Sequence, residues 1–308
     1  MARSVKKGVA TWHFDGVTTA LSDVGAGWFY NWAPTREDVQ PPPGVEYVPM
    51  IWGAKTVTPE NLTAVKAQGT TLLGFNEPDL AEQSDMTAEQ ALDLWPQLQA
   101  TGMRLGSPAV AHSADREGGW LDRFMTGARQ RGLRVDFITL HWYGSDFGPA
   151  AVGHLRNYLD AVHARYGVPI WLTEYSLMDF SGGGVRYPDA QQLADFAGAS
   201  SRMLEDLPYL ERYAWFALPA DKPGTGLYLP GGTPNRAGEA YRATGLACAR
   251  SRSCGDGRSA VPARRWSSSG GPGTAVRTAA VRSGSTSGWR RRCRSRSGAG
   301  CRPRWCCR

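Results

Sequence analysis

Of the 308 residues, 35 are basic and 28 acidic, a formal surplus of seven positive charges. The surplus sits at one end. From Ala247 onward there are fifteen Arg, no Lys and one acid, Asp256, so residues 1–246 hold twenty basic and 27 acidic side chains and are net negative by seven. A mildly acidic globular part argues against nucleic acid or another polyanion as its substrate.

All six Cys lie in the basic segment, at 248, 254, 293, 301, 306 and 307, so the first 246 residues need no disulfide. No apolar run is long enough to cross a bilayer, and no membrane partner is expected. Met1–Lys7 leads directly into a candidate strand with no signal-peptide core, which leaves a cytoplasmic protein or one whose leader has been removed.

In chain order, Gly8–Trp12 reads as a first strand and the aromatic run Trp28–Trp32 as a second, stopped by Pro34. Val45–Trp52 is the third, after the breaker Pro41-Pro42-Pro43-Gly44. Thr58 caps a helix that has Pro59 at its first position and ends at Gly69. Thr70–Asn76 is the fourth strand, and Thr87 caps a helix to about Ala100. Met103–Ala109 is the fifth strand, Gly119–Arg131 a helix, Val135–Trp142 the sixth strand and Pro149–Tyr166 a long helix. Pro169–Thr173 is the seventh strand, Ala190–Leu207 a helix, Arg212–Leu218 the eighth strand and Gly238–Thr244 a short closing helix. The helix after the first strand is poorly patterned, and only Thr35–Gln40 is left for one after the second.

Eight apolar strands, most followed by an amphipathic helix, come at about one unit per 31 residues and predict a (β/α)8 barrel over residues 1–246. An open α/β sheet is the other arrangement of such units, but no strand is followed by a Gly-rich phosphate turn.

Within that frame two strand ends are alike. The fourth closes Gly74-Phe75-Asn76-Glu77-Pro78-Asp79 and the seventh Trp171-Leu172-Thr173-Glu174-Tyr175. Glu77 and Glu174 stand 97 residues apart (174 − 77 = 97), close to three units, which brings both to the C-terminal rim of the barrel, where such folds keep their chemistry. Two facing carboxylates are what glycosidic hydrolysis needs, one to protonate the leaving oxygen and one to attack the anomeric carbon or activate water. The competing view, that each Glu caps a helix or pairs with an Arg, has to explain the coincidence of two.

Aromatic and amide residues crowd the same rim: Tyr30, Asn31 and Trp32, His141, Trp142 and Tyr143, and Trp215. Trp and Tyr can stack on the C–H faces of sugars while Asn and His hold hydroxyls, and these seven join Asn76 as candidate substrate-binding residues. Trp95, Trp120 and Trp171 read as core. The acidic loop Asp79–Glu89 matches no calcium-ligand spacing, and His112, His154 and His163 match no metal pattern, so neither metal nor cofactor is expected.

Asn76-Glu77-Pro78 with Thr173-Glu174 resembles the retaining glycoside hydrolases of clan A. With His141-Trp142-Tyr143 it resembles, more narrowly, glycoside hydrolase family 128, β-1,3-glucanases related to a fungal cell-wall protein group. The likeness spans about residues 6–246. It implies Glu77 as general acid/base, Glu174 as nucleophile, Asn76 on the sugar 2-hydroxyl, His141 or Tyr143 orienting Glu174, and Trp215 under the cleavage subsite. It further implies a β-glucan as partner, a monomer, and work outside the cell. The alternatives are a barrel that binds glucan without cleaving it, or a hydrolase of another neutral β-glycan such as β-1,4-glucan or mannan.

Residues 247–308 contain no Leu, Ile, Met, Phe, Tyr, Lys, Glu, Asn, Gln or His, cannot build a core and are expected to be disordered. A polyanion-binding tail, a small disulfide module and the out-of-frame product of a GC-rich gene all fit, and the restricted residue set favours the last.

Overall fold

A computed structural model of the protein describes residues 3–221 and 224–251. The predicted disorder or foreign origin of the basic segment concerns residues that lie, from 252 on, outside those described.

The chain alternates strand and helix: β1 (Ser4–Ala10), α1 (Val17–Asp23), β2 (Ala26–Tyr30), β3 (Glu46–Tyr47), α2 (Pro59–Lys66), β4 (Thr71–Leu72), α3 (Ala88–Gln99), β5 (Arg104–Leu105), α4 (Trp120–Gln130), β6 (Ile138–Gly144), α5 (Ala151–Tyr166), β7 (Ile170–Leu177), α6 (Ala190–Asp206), β8 (Leu210–Trp215) and α7 (Arg236–Ser251). A two-residue hairpin, β9 (Tyr228–Leu229) with β10 (Thr233–Pro234), precedes the last helix. Strands β3-β2-β1-β8-β7-β6 form one parallel sheet, and β4-β5 a second parallel pair. Single parallel bridges, Met50↔Leu73 on one side and Gly106↔Phe137 and Val110↔Leu140 on the other, join the pair to the sheet and close the ring. The predicted (β/α)8 barrel is the observed one. No helix among the described residues is long and apolar enough to cross a membrane.

Its weakest predicted links are its irregular ones. Between β2 and β3 there is no helix, because Pro41-Pro42-Pro43 offers no amide hydrogens to build one. That gap leaves a recess of about 580 Å³ lined by Arg36, Glu37, Glu46, Tyr47 and Gln68 among others, with none of the rim candidates in it. Where caps are written in the sequence, the helices start on them: the Thr58 hydroxyl accepts from Asn61 N, and Thr87 and Gln90 form a reciprocal capping box. The last helix is tied to the first strand by Lys7, fully buried, whose ammonium donates to Tyr241 O at 2.8 Å. Burial, opposed by Glu205, pushes that ammonium down to about 8.

Alternation sorts the side chains into two cores. Even-numbered apolar residues of β6 and β7 (Ile138, Leu140, Ile170, Leu172) face the helices. Trp28, Met50, Phe137, Trp171 and Ala214 fill the barrel itself, with Phe137 stacked on Trp171 at 4.4 Å. Trp95 and Trp171 are core, as expected; Trp120 is half-buried and donates its indole N–H to Met86 O at 2.7 Å. At the closed end Arg212 bonds Glu46 and lies 4.4 Å over Trp171.

Gly74 shows why β4 can carry a site. A Cβ there would lie 2.8 Å from Gly106 O and 2.9 Å from Ser107 O, so only a glycine lets β4 and β5 approach this closely two residues before Asn76. The expected result for Gly74→Ala is a loss of roughly 1–3 kcal/mol, read as a lower melting temperature. A wild-type melting curve would show that the strands can part at no cost.

Candidate active site

Each glutamate reaches the rim through a local break in regularity. Asn76 bridges Ala109, Glu77 N donates to Ala109 O at 2.7 Å, and Glu77 then takes a positive φ of 41°. That left-handed conformation is unfavourable for a side chain with a Cβ, and observed strain of this kind gathers at functional sites. In β7 the register with β8 shifts between Leu172 and Tyr175, and the β6 register shifts between Leu140 and His141. Strict alternation would set Glu174 on the helix side with Leu172. The irregularity turns it inward instead and sends Tyr175 out to pack on Trp215 and Phe196.

The two carboxylates meet over His141, whose side chain is wholly buried. Its Nδ1 lies 2.8 Å from Glu77 Oε1 and its Nε2 3.4 Å from Glu174 Oε1. One oxygen of Glu77 and one of Glu174 are within 4.8 Å of each other. Glu174 is ringed by donors: Trp32 Nε1 at 2.7 Å and the Tyr30 hydroxyl at 3.1 Å on Oε1, the Tyr143 hydroxyl at 2.5 Å on Oε2. Tyr30 has one proton for two acceptors, since Thr173 O is 3.0 Å away.

Burial pushes the Glu174 carboxyl up from its usual range, His141 pulls it back, Glu77 pushes it further up, and the Tyr143 and Trp32 donors favour the anion. His141 feels the reverse balance. Burial alone would lower its pKa, but the carboxylates of Glu174 and Glu77 outweigh that and raise it. The phenols of Tyr30 and Tyr143, buried beside the carboxylates, stay protonated and can only donate to them. Glu77, His141 and Glu174 are also the kind of trio that holds metals. Here one imidazole nitrogen is turned to each acid, and the ligand atoms of the three lie within 4.8 Å of one another.

Asn76 is buried beside Glu77. Its amide nitrogen reaches Gln83 Oε1 at 3.3 Å, while its carbonyl oxygen is buried and has no hydrogen-bond partner. Tyr143 and Trp32 line the cleft and hold Glu174. His141 does more for Glu77 than for Glu174, and it is Tyr143 that makes the short bond to Glu174.

Four expected substrate contacts are placed otherwise. Trp215 is fully buried on the helix side against Tyr175, Phe196 and Tyr241, with its N–H on Thr225 O at 2.7 Å, so it cannot floor a subsite. Trp142 stacks on Phe196 in the same outer layer. Tyr30 is fully buried beneath Glu174 and reaches substrate only through it. Asn31 spends its amide on its own turn: Nδ2 donates to Thr35 O at 3.1 Å, and Oδ1 accepts from Ala33 N and, at 2.7 Å, from the Tyr47 hydroxyl. That turn holds Trp32 at φ 61°, so Asn31 positions the tryptophan that donates to Glu174.

Phe216 was missed. It faces inward next to Ala214 in the strand's alternation and sits edge-on to Trp32 (5.8 Å) and Tyr143 (5.7 Å), the place foreseen for Trp215. Alternation along Arg212–Phe216 was the signal that could have found it.

The comparisons with known proteins agree with this geometry. The family model described as glycosyl hydrolase catalytic core matches residues 8–241. A GH128 subgroup I endo-β-1,3-glucanase from Amycolatopsis mediterranei, solved with laminaritriose, is 60% identical, with a TM-score of 0.77 over 79% of this chain and all of that one. Two single-glutamate variants of that enzyme were solved with laminari-oligosaccharides, and the two positions are 97 residues apart, the separation of Glu77 and Glu174. A subgroup II endo-β-1,3-glucanase from Sorangium cellulosum is 30% identical, with a TM-score of 0.65 over 78% of this chain and 98% of that one. Alkali-sensitive linkage protein 1 of Schizosaccharomyces pombe is 30% identical over 219 residues, and the chain spans only 38% of that longer protein, using 69% of its own length. A catalytic-core match across the whole barrel and an end-to-end match at 60% identity make this chain a member of glycoside hydrolase family 128.

Proposed function

We propose that the barrel is a secreted, monomeric endo-β-1,3-glucanase that works with retention of anomeric configuration. The observation that carries retention is the approach of the two carboxylates within 4.8 Å. Inverting enzymes keep about 6.5–9.5 Å between them to admit water, and retaining ones about 5–5.5 Å so that one can bond to the sugar.

Roles follow from the partners. Glu174, accepting from Trp32 and Tyr143 with Tyr30 beneath, is set up as an anion and attacks the anomeric carbon. Glu77, held by His141, gives its proton to the glycosidic oxygen as the bond to carbon breaks, which leaves a glycosyl ester on Glu174. Water enters, loses a proton to Glu77 and attacks the same carbon, which releases Glu174 as carboxylate and restores protonated Glu77. The Asn76 side chain next to Glu77, its carbonyl oxygen unpartnered, is assigned to the sugar 2-hydroxyl, a contact that strengthens as charge develops. The β-1,3 linkage is supported by the 60% identical glucanase and its laminaritriose complex.

The test is to supply laminarin, a β-1,4-glucan and a mannan to the purified chain and follow reducing ends together with the anomeric proton of the first product. Early β-anomer from laminarin alone is expected, with mixed-length oligosaccharides marking internal cleavage. Early α-anomer would overturn retention, and binding without any product would leave a glucan-binding barrel. Secretion is checked by where activity appears on expression in the native host, in the medium or within cells.

Tyr143 gives a quantitative check. Tyr143→Phe removes a donor that favours ionised Glu174, so that carboxyl rises further and the acid limb of kcat/KM moves to higher pH. A hydrogen bond to a charged group is worth about 1.5–3 kcal/mol, so kcat/KM should drop roughly 10- to 100-fold. An unmoved acid limb would mean that Glu174 does not set it.

A further inference from the structure

The segment after β7 runs Met178-Asp179-Phe180 and then the glycine stretch Gly182-Gly183-Gly184, a motif the catalytic geometry leaves unused. It forms a pinned hairpin. Asp179 and Arg186 exchange both backbone hydrogen bonds at 2.9 Å, the Arg186 guanidinium returns to Asp179 Oδ2 at 2.7 Å, and Ser181 N donates to Asp179 Oδ1 at 2.9 Å. These bonds, Ser181 first, hold the Asp179 carboxyl down to about 2, so the clamp is charged at any working pH. Arg186 also lies 4.5 Å over the Phe147 ring, which fastens the hairpin to the loop after β6.

What the hairpin presents is Phe180, 57% exposed. A lone exposed apolar side chain is ordinary on a protein surface. This one continues a line of rings. Trp12, Trp32, Phe216, Tyr143 and Phe180 follow one another at centroid distances of 6.3, 5.8, 5.7 and 5.8 Å, with the two that donate to Glu174, Trp32 and Tyr143, inside the line. Phe180 meets Tyr143 edge-on, so the ring is not stacked face to face on its neighbour and its faces are not covered by it. A phenylalanine has no hydrogen-bond group to offer, and the face of a pyranose, lined with C–H groups, is a surface it can cover. The other large hydrophobic residues exposed among those described, Val5 and Leu229, belong to no such line of rings.

We infer that Phe180 is the platform of a sugar subsite on the β6–β7 side of the cleft, beyond the ring being cleaved, and that the Asp179–Arg186 hairpin exists to hold it there. The assignment rests on the β-glucan reading above and adds to it a length dependence: a chain long enough to reach Phe180 binds better than one that is not.

The experiment needs no turnover and so separates the two readings. Laminarihexaose and laminaritriose are titrated calorimetrically into full-length Glu174→Gln protein, with and without Phe180→Ala. The hexaose-to-triose affinity ratio should fall about 3- to 10-fold with Phe180→Ala, the scale of one aromatic stacking contact, and return with Phe180→Trp. An unchanged ratio, or equal loss for both sugars, would overturn the subsite. A falling ratio in a chain whose wild type makes no product from laminarin would keep the subsite while the hydrolase reading fails. If Phe180→Ala lowers the melting temperature, Phe180→Trp against wild type gives the same comparison in a filled site, and a ratio below wild type there counts against the platform.

Discussion

Glu174→Gln is expected to stop turnover, with kcat on laminarin lower by about 10⁴-fold or more, the scale on which removal of a covalent nucleophile is felt. The amide fills the same space but carries no charge to attack with. It also brings one good acceptor to a place built with three neutral donors, Trp32, Tyr30 and Tyr143, so at least one of them loses its partner. Oligosaccharide binding should survive, since the rings and the Asn76 carbonyl are untouched. The stronger evidence is stereochemical. In Glu174→Gly, azide can enter the vacated space and attack an activated β-glucoside once, which gives an α-glucosyl azide. A β-azide from that variant, or near wild-type turnover by Glu174→Gln, would remove Glu174 from the nucleophile's role.

The pair Glu77 and Glu174 was legible because unit length converts sequence distance into rim position: 97 residues is three units, whatever the loops do. Which way a rim residue faces was legible only where the strand alternates. Trp142 and Trp215 fall on the same side as Leu140 and Tyr213, the helix side, and the period of two is enough by itself to put them there. For Glu174 the same rule gives the wrong face. Nothing in Leu172-Thr173-Glu174-Tyr175 announces the irregularity that turns it inward, and this comes from packing of Tyr175 against α6 and β8. The turn at Asn31 is unreadable for a similar reason. Trp32 takes a positive φ without being glycine, and the Asn31 bonds that hold the turn include one from the Tyr47 hydroxyl, on the next strand and sixteen residues away. Asn31→Ala is accordingly expected to act through Trp32: its loss in kcat, about tenfold if one charge-assisted bond is weakened, should largely vanish in a Trp32→Phe background. Full additivity of the two changes would make Asn31 a stability residue and nothing more.

Glu77→Ala should divide the two chemical steps in a way no structural role can imitate. With a natural glucan the leaving oxygen needs a proton, so loss of the acid slows bond cleavage by roughly 10²–10⁴-fold. With a dinitrophenyl β-glucoside of laminaribiose the leaving group departs without help. Glu174 then still forms its ester, but no base remains to activate water, and the glycosyl-enzyme accumulates. A burst of dinitrophenol, one per active site, followed by a slow steady state is the expected trace. Azide needs no deprotonation, and entering where Glu77 stood, it should release that ester as a β-glucosyl azide, the opposite anomer from the one expected of the Glu174→Gly chain. His141 sharpens the point, because in Glu77→Ala it keeps only Glu174 as a partner, at 3.4 Å. An imidazole with one carboxylate beside it rather than two loses part of what raised its pKa, so it gives up its proton at lower pH than before. The His141 imidazole, followed by NMR, should therefore titrate at lower pH in Glu77→Ala than in wild type. A Glu77→Ala chain that showed no burst and lost activity equally on both substrates would place the proton donor elsewhere on the rim.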